Sequence, residues 1–179
     1  AALQIALVSA ETLIPLDSDW LYKKGTEEAS SPGTAWRAVA FDASSWSTGP
    51  TPIYYGENPG AGTVLPDMRY SYTSVYLRNT FQVADPNEID RMALRVHCDD
   101  GFIIWINGQE QVRFNMPAGE HAFDSRAQGA IEPTWVTNSL SSPSTFLRQG
   151  QNVITVHLFN ANLTSSDIVF NLQLDSTSD

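Results

Sequence analysis

Residues 99–108 read Asp-Asp-Gly-Phe-Ile-Ile-Trp-Ile-Asn-Gly, and this stretch decides the fold class. Residues 102–106 form a continuous apolar run of strand length. Asn107-Gly108 follows directly. An Asn-Gly pair between two strand-like runs is the strongest short-range hairpin signal, because both residues tolerate the positive φ of a type I′ turn. The returning strand is residues 110–114. On the other side, Asp99-Asp100-Gly101 ends an alternating strand over 92–98, with Met92, Leu94, Val96 and Cys98 facing in and Arg95 and His97 facing out.

The same signals continue outward. Residues 74–83 alternate, with Val75, Leu77 and Phe81 on one face and Tyr76, Arg78 and Thr80 on the other. Short strands are expected at 12–16, 134–140, 152–159 and 168–174, the last two joined by a polar loop over 160–167. Helical periodicity is weak; a single turn at 42–46, capped by Asp42, is the one local candidate. Residues 50–62 are rich in Pro and Gly but lie between strand signals, so they read as a long loop inside one domain. The expectation is an all-β chain, residues 1–179 forming one antiparallel β-sandwich.

Composition narrows the partners. The 179 residues carry 20 acidic and 10 basic side chains, a formal charge of −10. Such a surface is repelled by phosphate backbones, so nucleic acid and anionic membranes are poor partners, while neutral polymers and cations remain open. The single cysteine, Cys98, forbids an intrachain disulfide. No stretch approaches the ~20 apolar residues of a membrane-spanning helix, so no membrane insertion is expected.

Strand order predicts which loops meet. Successive strands of an antiparallel sandwich alternate direction, so every second connection lies at the same end. Counting from residues 92–98, the loops 52–72, 99–101, 115–132 and 160–167 fall together. That end collects Tyr54, Tyr55, Glu57, Tyr70, Asp99, Asp100, Asn115, Arg126, Asn160 and Asp167, and long loops on a rigid scaffold are where binding resides. Sugar rings present C–H faces to aromatic side chains and hydroxyls to amides, carboxylates and guanidinium groups. Tyr54, Tyr55 and Tyr70 are the expected stacking residues, and Asp99, Asn115, Arg126 and Asn160 the expected hydrogen-bonding ones.

The Asp99-Asp100-Gly101 turn has two readings. Adjacent carboxylates can direct oxygens at Ca²⁺, making Asp99 and Asp100 the candidate metal ligands. Alternatively, each Asp caps backbone N–H groups of the turn. Trp20, Trp36 and Trp46 read as core, Trp105 lies on the opposite strand face from Ile104 and Ile106, and Trp135 is ambiguous. His97 and His157 read as surface or interface histidines. No zinc spacing, nucleophile elbow or phosphate-binding glycine loop occurs, so a non-catalytic protein is expected.

Taken in order, these phrases resemble the galactose-binding-like modules of large extracellular bacterial proteins. The resemblance rests on Asp99–Gly108 and on the phrase Arg113-Phe114-Asn115-Met116-Pro117-Ala118-Gly119. It extends to Gly150-Gln151-Asn152-Val153-Ile154-Thr155-Val156-His157 and to Ser165-Ser166-Asp167-Ile168-Val169-Phe170. At the front it rests on Trp36 with Phe41-Asp42, Trp46, Gly49 and Tyr55-Gly56. It covers about residues 12–175. It implies a jelly-roll sandwich, secreted or at the cell surface, beside a catalytic or cell-surface neighbour, with glycan as a common ligand and Ca²⁺ as a common structural ion. Thr155 stands where such modules often carry an acidic residue.

Overall fold

The computed structural model describes residues 9–178, and within them two sheets pack face to face as a β-sandwich. In chain order the strands are β1 (Ser9–Ile14), β2 (Asp19–Lys24), β3 (Ser47–Pro50), β4 (Ile53–Tyr55), β5 (Thr63–Val64) and β6 (Ser74–Val83). They continue with β7 (Arg91–Asp99), β8 (Gly101–Ile106), β9 (Gln109–Phe114), β10 (Thr134–Ser141), β11 (Gly150–Phe159) and β12 (Ile168–Ser178). The first sheet runs β10-β7-β12-β4-β5, with β1 sharing the β4 edge of β12; the second runs β3-β2-β6-β11-β8-β9. Every pairing is antiparallel except the short β4–β5 pair.

The hairpin forms as its sequence dictates. Asn107 and Gly108 take φ of 50° and 82°, the left-handed pair that a type I′ turn needs. The Asn107 amide donates to the Phe146 carbonyl at 2.8 Å, and its Oδ1 accepts from the Val153 N–H at 3.0 Å, so the turn is also pinned to β11. Two short strands, β4 and β5, occupy the segment expected to be a loop, and β2 was not legible as a strand. Residues 42–46 make a turn rather than a helix, with Asp42 accepting from the Ser44 N–H at 2.9 Å.

The main core lies between the sheets. Met92, Leu94, Val96 and Cys98 of β7 and Phe170, Leu172 and Leu174 of β12 face Val75, Leu77, Phe102, Ile104, Val156 and Leu158 of the second sheet. The alternation of β6 and β7 thus reads correctly. The all-apolar run of β8 has a different cause: the second sheet is buried on both faces. On its outer side Trp36, Trp46, Tyr76, Ile103, Trp105, Met116 and Phe159 build a separate aromatic core beneath the segments 25–46 and 115–129. Trp36 is its centre, meeting Trp105 edge-on at 5.7 Å and Tyr76 at 5.1 Å. Each such pair adds about 0.5–1.5 kcal/mol beyond area burial. Arg37 lies 3.8 Å over the Trp105 ring and forks onto Glu120 at 3.0 and 2.5 Å. Arg78 donates to the carbonyls of Trp36, Ala38 and Phe41, fastening the covering segment to β6.

His157 departs from the expectation of a surface histidine. It is 1% exposed, stacked on Tyr76 at 4.0 Å and against Phe159 at 3.9 Å, and its Nε2 has no hydrogen-bond partner. The covering layer, invisible to strand alternation, turns an outward position into an interior one. Burial first, then the charges of Arg37 and His121, hold its pKa well below 6.5. Below pH 6.5 the unfolded chain therefore takes up a proton that the folded chain refuses, and stability falls with pH. Urea midpoints should drop from pH 7.5 to pH 5 and drop less in His157→Phe. Equal slopes in the two proteins would contradict a buried neutral imidazole.

Candidate functional site

Strand register brings the predicted loops to one end. Tyr55 pairs with Ile168, Val169 with Asp99, Thr134 with Cys98, Gly101 with Phe159, and Phe159 with Ser74. Ser9 pairs with Ser178 at the opposite end. The loops after β4, β7, β9 and β11 therefore converge, as the alternation argument requires.

Asp100 builds this end. It is 2% exposed, and its two carboxylate oxygens accept from the Ile131 N–H at 2.7 Å and the Ala161 N–H at 2.6 Å. One side chain thus ties the loops after β9 and β11 to the β7–β8 turn. Asn115, left-handed at φ 52°, donates from Nδ2 to the Asp100 carbonyl at 3.2 Å and the Gly129 carbonyl at 2.6 Å. Asn160 is buried and donates to the Tyr55 hydroxyl at 2.9 Å and the Asp167 carbonyl at 3.1 Å, while the Tyr55 hydroxyl donates to the Ser165 carbonyl at 2.8 Å. Of the predicted sugar contacts, Tyr55, Asn115 and Asn160 are thus bonded within the loop scaffold. Gly56 is required there: at φ 72°, a Cβ would sit 2.1 Å from the Ser166 carbonyl.

Asp99 meets carboxylates other than its neighbour's as well. Ligand atoms of Glu57, Asp99 and Asp167 lie within 4.8 Å of one another. Burial, the adjacent Asp100 and the charges of Asp167 and Glu57 push the Asp99 pKa up to about 8. Glu57 is raised too, by burial and by Asp167. Three carboxylates this close repel unless a proton or a cation intervenes, and this triad could hold a metal ion. The candidate ligands from sequence were Asp99 and Asp100; the structure groups Asp99 with Glu57 and Asp167, and leaves Asp100 to the backbone. Glu57 and Asp167 were readable only as members of the same loop end, since residues this far apart carry no spacing signal. The Asn160 Oδ1 is buried without a partner in the same loop. Hard oxygens of this kind suit Ca²⁺, which takes several carboxylate and amide oxygens at about 2.3–2.6 Å.

A groove of about 260 Å³ opens beside these loops, lined by Tyr72, Thr73, Phe123, Asp124, Arg126 and Leu163 among others. Its walls are fastened: Thr73 and Ser74 hydroxyls donate to the Ser125 and Phe123 carbonyls at 2.9 and 2.5 Å. Tyr70 stands alongside, its N–H donating to the Leu163 carbonyl at 2.8 Å and its side chain 66% exposed. Arg69 lies over the Tyr70 ring at 5.1 Å. Tyr54 lies on β4 rather than at a loop tip and is half-buried.

No protein-family model matches the chain, and no curated protein matches it. Solved structures do. A beta-glucuronidase of an uncultured Clostridium species superposes with a TM-score of 0.58 at 13% identity, over 99% of this chain and 30% of that one. A calcium binding mutant of Bacteroides uniformis beta-glucuronidase 2 gives 0.59 at 18% identity, over 95% and 18%. The Ruminococcus gnavus beta-glucuronidase gives 0.56 at 10% identity, over 98% and 30%. This chain spans less than a third of each of those chains, and the likeness is one of fold.

Removing the Asp100 carboxylate should strand two half-buried N–H groups, each worth roughly 1–3 kcal/mol. Asp100→Ala should lower unfolding stability by about 3 kcal/mol and speed hydrogen exchange at Ile131 and Ala161. Unchanged exchange at those two amides would remove Asp100 from its anchoring role.

Proposed function

We propose that this chain is a non-catalytic carbohydrate-binding module of the galactose-binding-like type, acting as one accessory domain of a larger secreted or cell-surface protein that handles polysaccharide. The observation that carries the reading is the loop end itself, where a groove bounded by Tyr72, Phe123, Leu163 and Arg126 sits beside the exposed ring of Tyr70. An aromatic face for C–H packing next to a guanidinium and a carboxylate for hydroxyls is the chemistry that saccharides need. Its fold neighbours support the setting, since each is a glycosidase of which this fold occupies only a part. Strands β1 and β12 run to the far end, so the groove stands clear of where their termini lie.

Tyr70 supplies the stacking face and Arg126 and Asp124 the hydrogen bonds; Tyr55, Asn115 and Asn160 act indirectly, by holding the loops. Affinity electrophoresis against a panel of neutral polysaccharides tests this. At least one should retard the protein, with Tyr70→Ala and Arg126→Gln each weakening binding about tenfold. No retardation by any polysaccharide would count against the module. The dense hydrogen bonding among these loops favours a second reading, a structural spacer for neighbouring domains, which predicts that negative result.

In this proposal Glu57, Asp99 and Asp167 hold a structural Ca²⁺. The ion would neutralise the triad and lock the β4 and β11 loops against the β7–β8 turn. Ligand binding to the folded state alone adds RT ln(1 + [L]/Kd) of stability, about 2.7 kcal/mol at a hundredfold excess over Kd. Melting temperature should rise on replacing chelator with millimolar Ca²⁺, and the rise should vanish in Asp167→Asn. A melting temperature indifferent to Ca²⁺ would exclude the ion.

A further inference from the structure

Four of the five tryptophans are buried; Trp135 is 43% exposed and belongs to neither core. It lies on β10, at the edge of the first sheet, on that sheet's outer face. Register places it beside His97, which pairs in turn with Asn171; the next row on the same face is Thr137, Arg95 and Gln173. The indole stacks on the His97 ring at 4.8 Å with 20° between planes, and the Arg95 guanidinium lies 4.2 Å from the indole centroid.

The arginines divide into those whose side chains have a polar partner and those without one among the described residues, Arg91, Arg95 and Arg126. Arg37 and Arg113 pair with glutamates, and Arg69, Arg78 and Arg148 donate to carbonyls. The Arg95 guanidinium makes no hydrogen bond or ion pair among the described residues, although the chain carries twice as many acidic as basic side chains. Its planar fork is held against an aromatic ring with its donors unused, the state in which a guanidinium takes a carboxylate bidentately. Arg91 lies on the same face of the same strand. Gln173 donates to Asp175 at 2.8 Å, which leaves its carbonyl oxygen for a hydroxyl.

We infer that this outer sheet face is a second saccharide surface, separate from the loop groove, and that it takes saccharides bearing a carboxylate. Trp135 receives a ring face, Arg95 the carboxylate, and Thr137 and Gln173 the hydroxyls. The inference rests on the reading of the chain as a glycan-binding module, but not on the loop groove.

Polygalacturonate oligosaccharides and their methyl-esterified, uncharged counterparts are the probes, titrated calorimetrically at low salt. The acidic oligosaccharide should bind, weaken steeply with added salt, and lose about tenfold in affinity in Trp135→Ala and in Arg95→Gln, whereas Tyr70→Ala leaves it intact. Trp135→Phe keeps an aromatic face and should retain most of the binding, which separates lost contact from lost fold. Acidic binding abolished by Tyr70→Ala and untouched by Trp135→Ala would overturn the sheet-face site and leave the loop groove standing. Equal affinity for the esterified oligosaccharide would overturn the carboxylate. Absence of binding to both probes would overturn the sheet face alone if a neutral polysaccharide is still retained through Tyr70, and both sites if none is. A concentration-dependent dimer dispersed by Trp135→Ala would make this face an interface between copies and overturn the proposal.

Discussion

The structure depends on the burial of the second sheet from both sides. A sheet in a two-layer sandwich ordinarily shows one apolar and one polar face. Here β8 and β11 are buried on both faces, because Trp36, Trp46 and their neighbours roof the outer one. The roof is made of the segments 25–46 and 115–129, and those segments end where the loop groove begins. Phe123 belongs to both: it packs against the roof core and lines the groove. Packing that stabilises the sheet therefore also sets the loop end, and the His157 imidazole is trapped neutral as a by-product.

A second constraint acts at the β7–β8 turn. Asp100 faces inward to two backbone N–H groups, and Asp99 faces the triad. The two carboxylates lie close enough for Asp100 to help raise the Asp99 pKa, but both Asp100 oxygens are already taken by backbone N–H groups. One becomes a strut and the other a titratable or metal-binding group. Strand parity explains the Trp135 face, where alternate residues of β7, β10 and the C-terminal half of β12 reach solvent.

Much of this was legible in the sequence because its signals are local. The Asn107-Gly108 hairpin, the alternation of β6 and β7, and the gathering of loops at one end all follow from turn chemistry and strand parity. What stayed hidden depends on distant residues. The roof over β8 and β11 made His157 interior, and no alternation rule carries that. The two-residue strand β5 and the three-residue strand β4 are too short for a period to show. Tyr55, Asn115 and Asn160 have the composition of binding residues, yet the Tyr55 hydroxyl and both amide NH₂ groups are already engaged by loop carbonyls and hydroxyls. Trp135 was ambiguous for the opposite reason: its environment is set by the free Arg95 and by its edge position, neither of which a sequence pattern reveals.

The account places ligand recognition at the loop end, on a scaffold preformed by Asp100 and the aromatic roof. Amide chemical-shift mapping of the isotope-labelled protein with a retained neutral oligosaccharide tests this most directly. The account predicts perturbations concentrated at residues 70–73, 123–126 and 163, with β8 and β11 silent. Perturbations scattered over both sheets, or confined to the end where Ser9 meets Ser178, would contradict it.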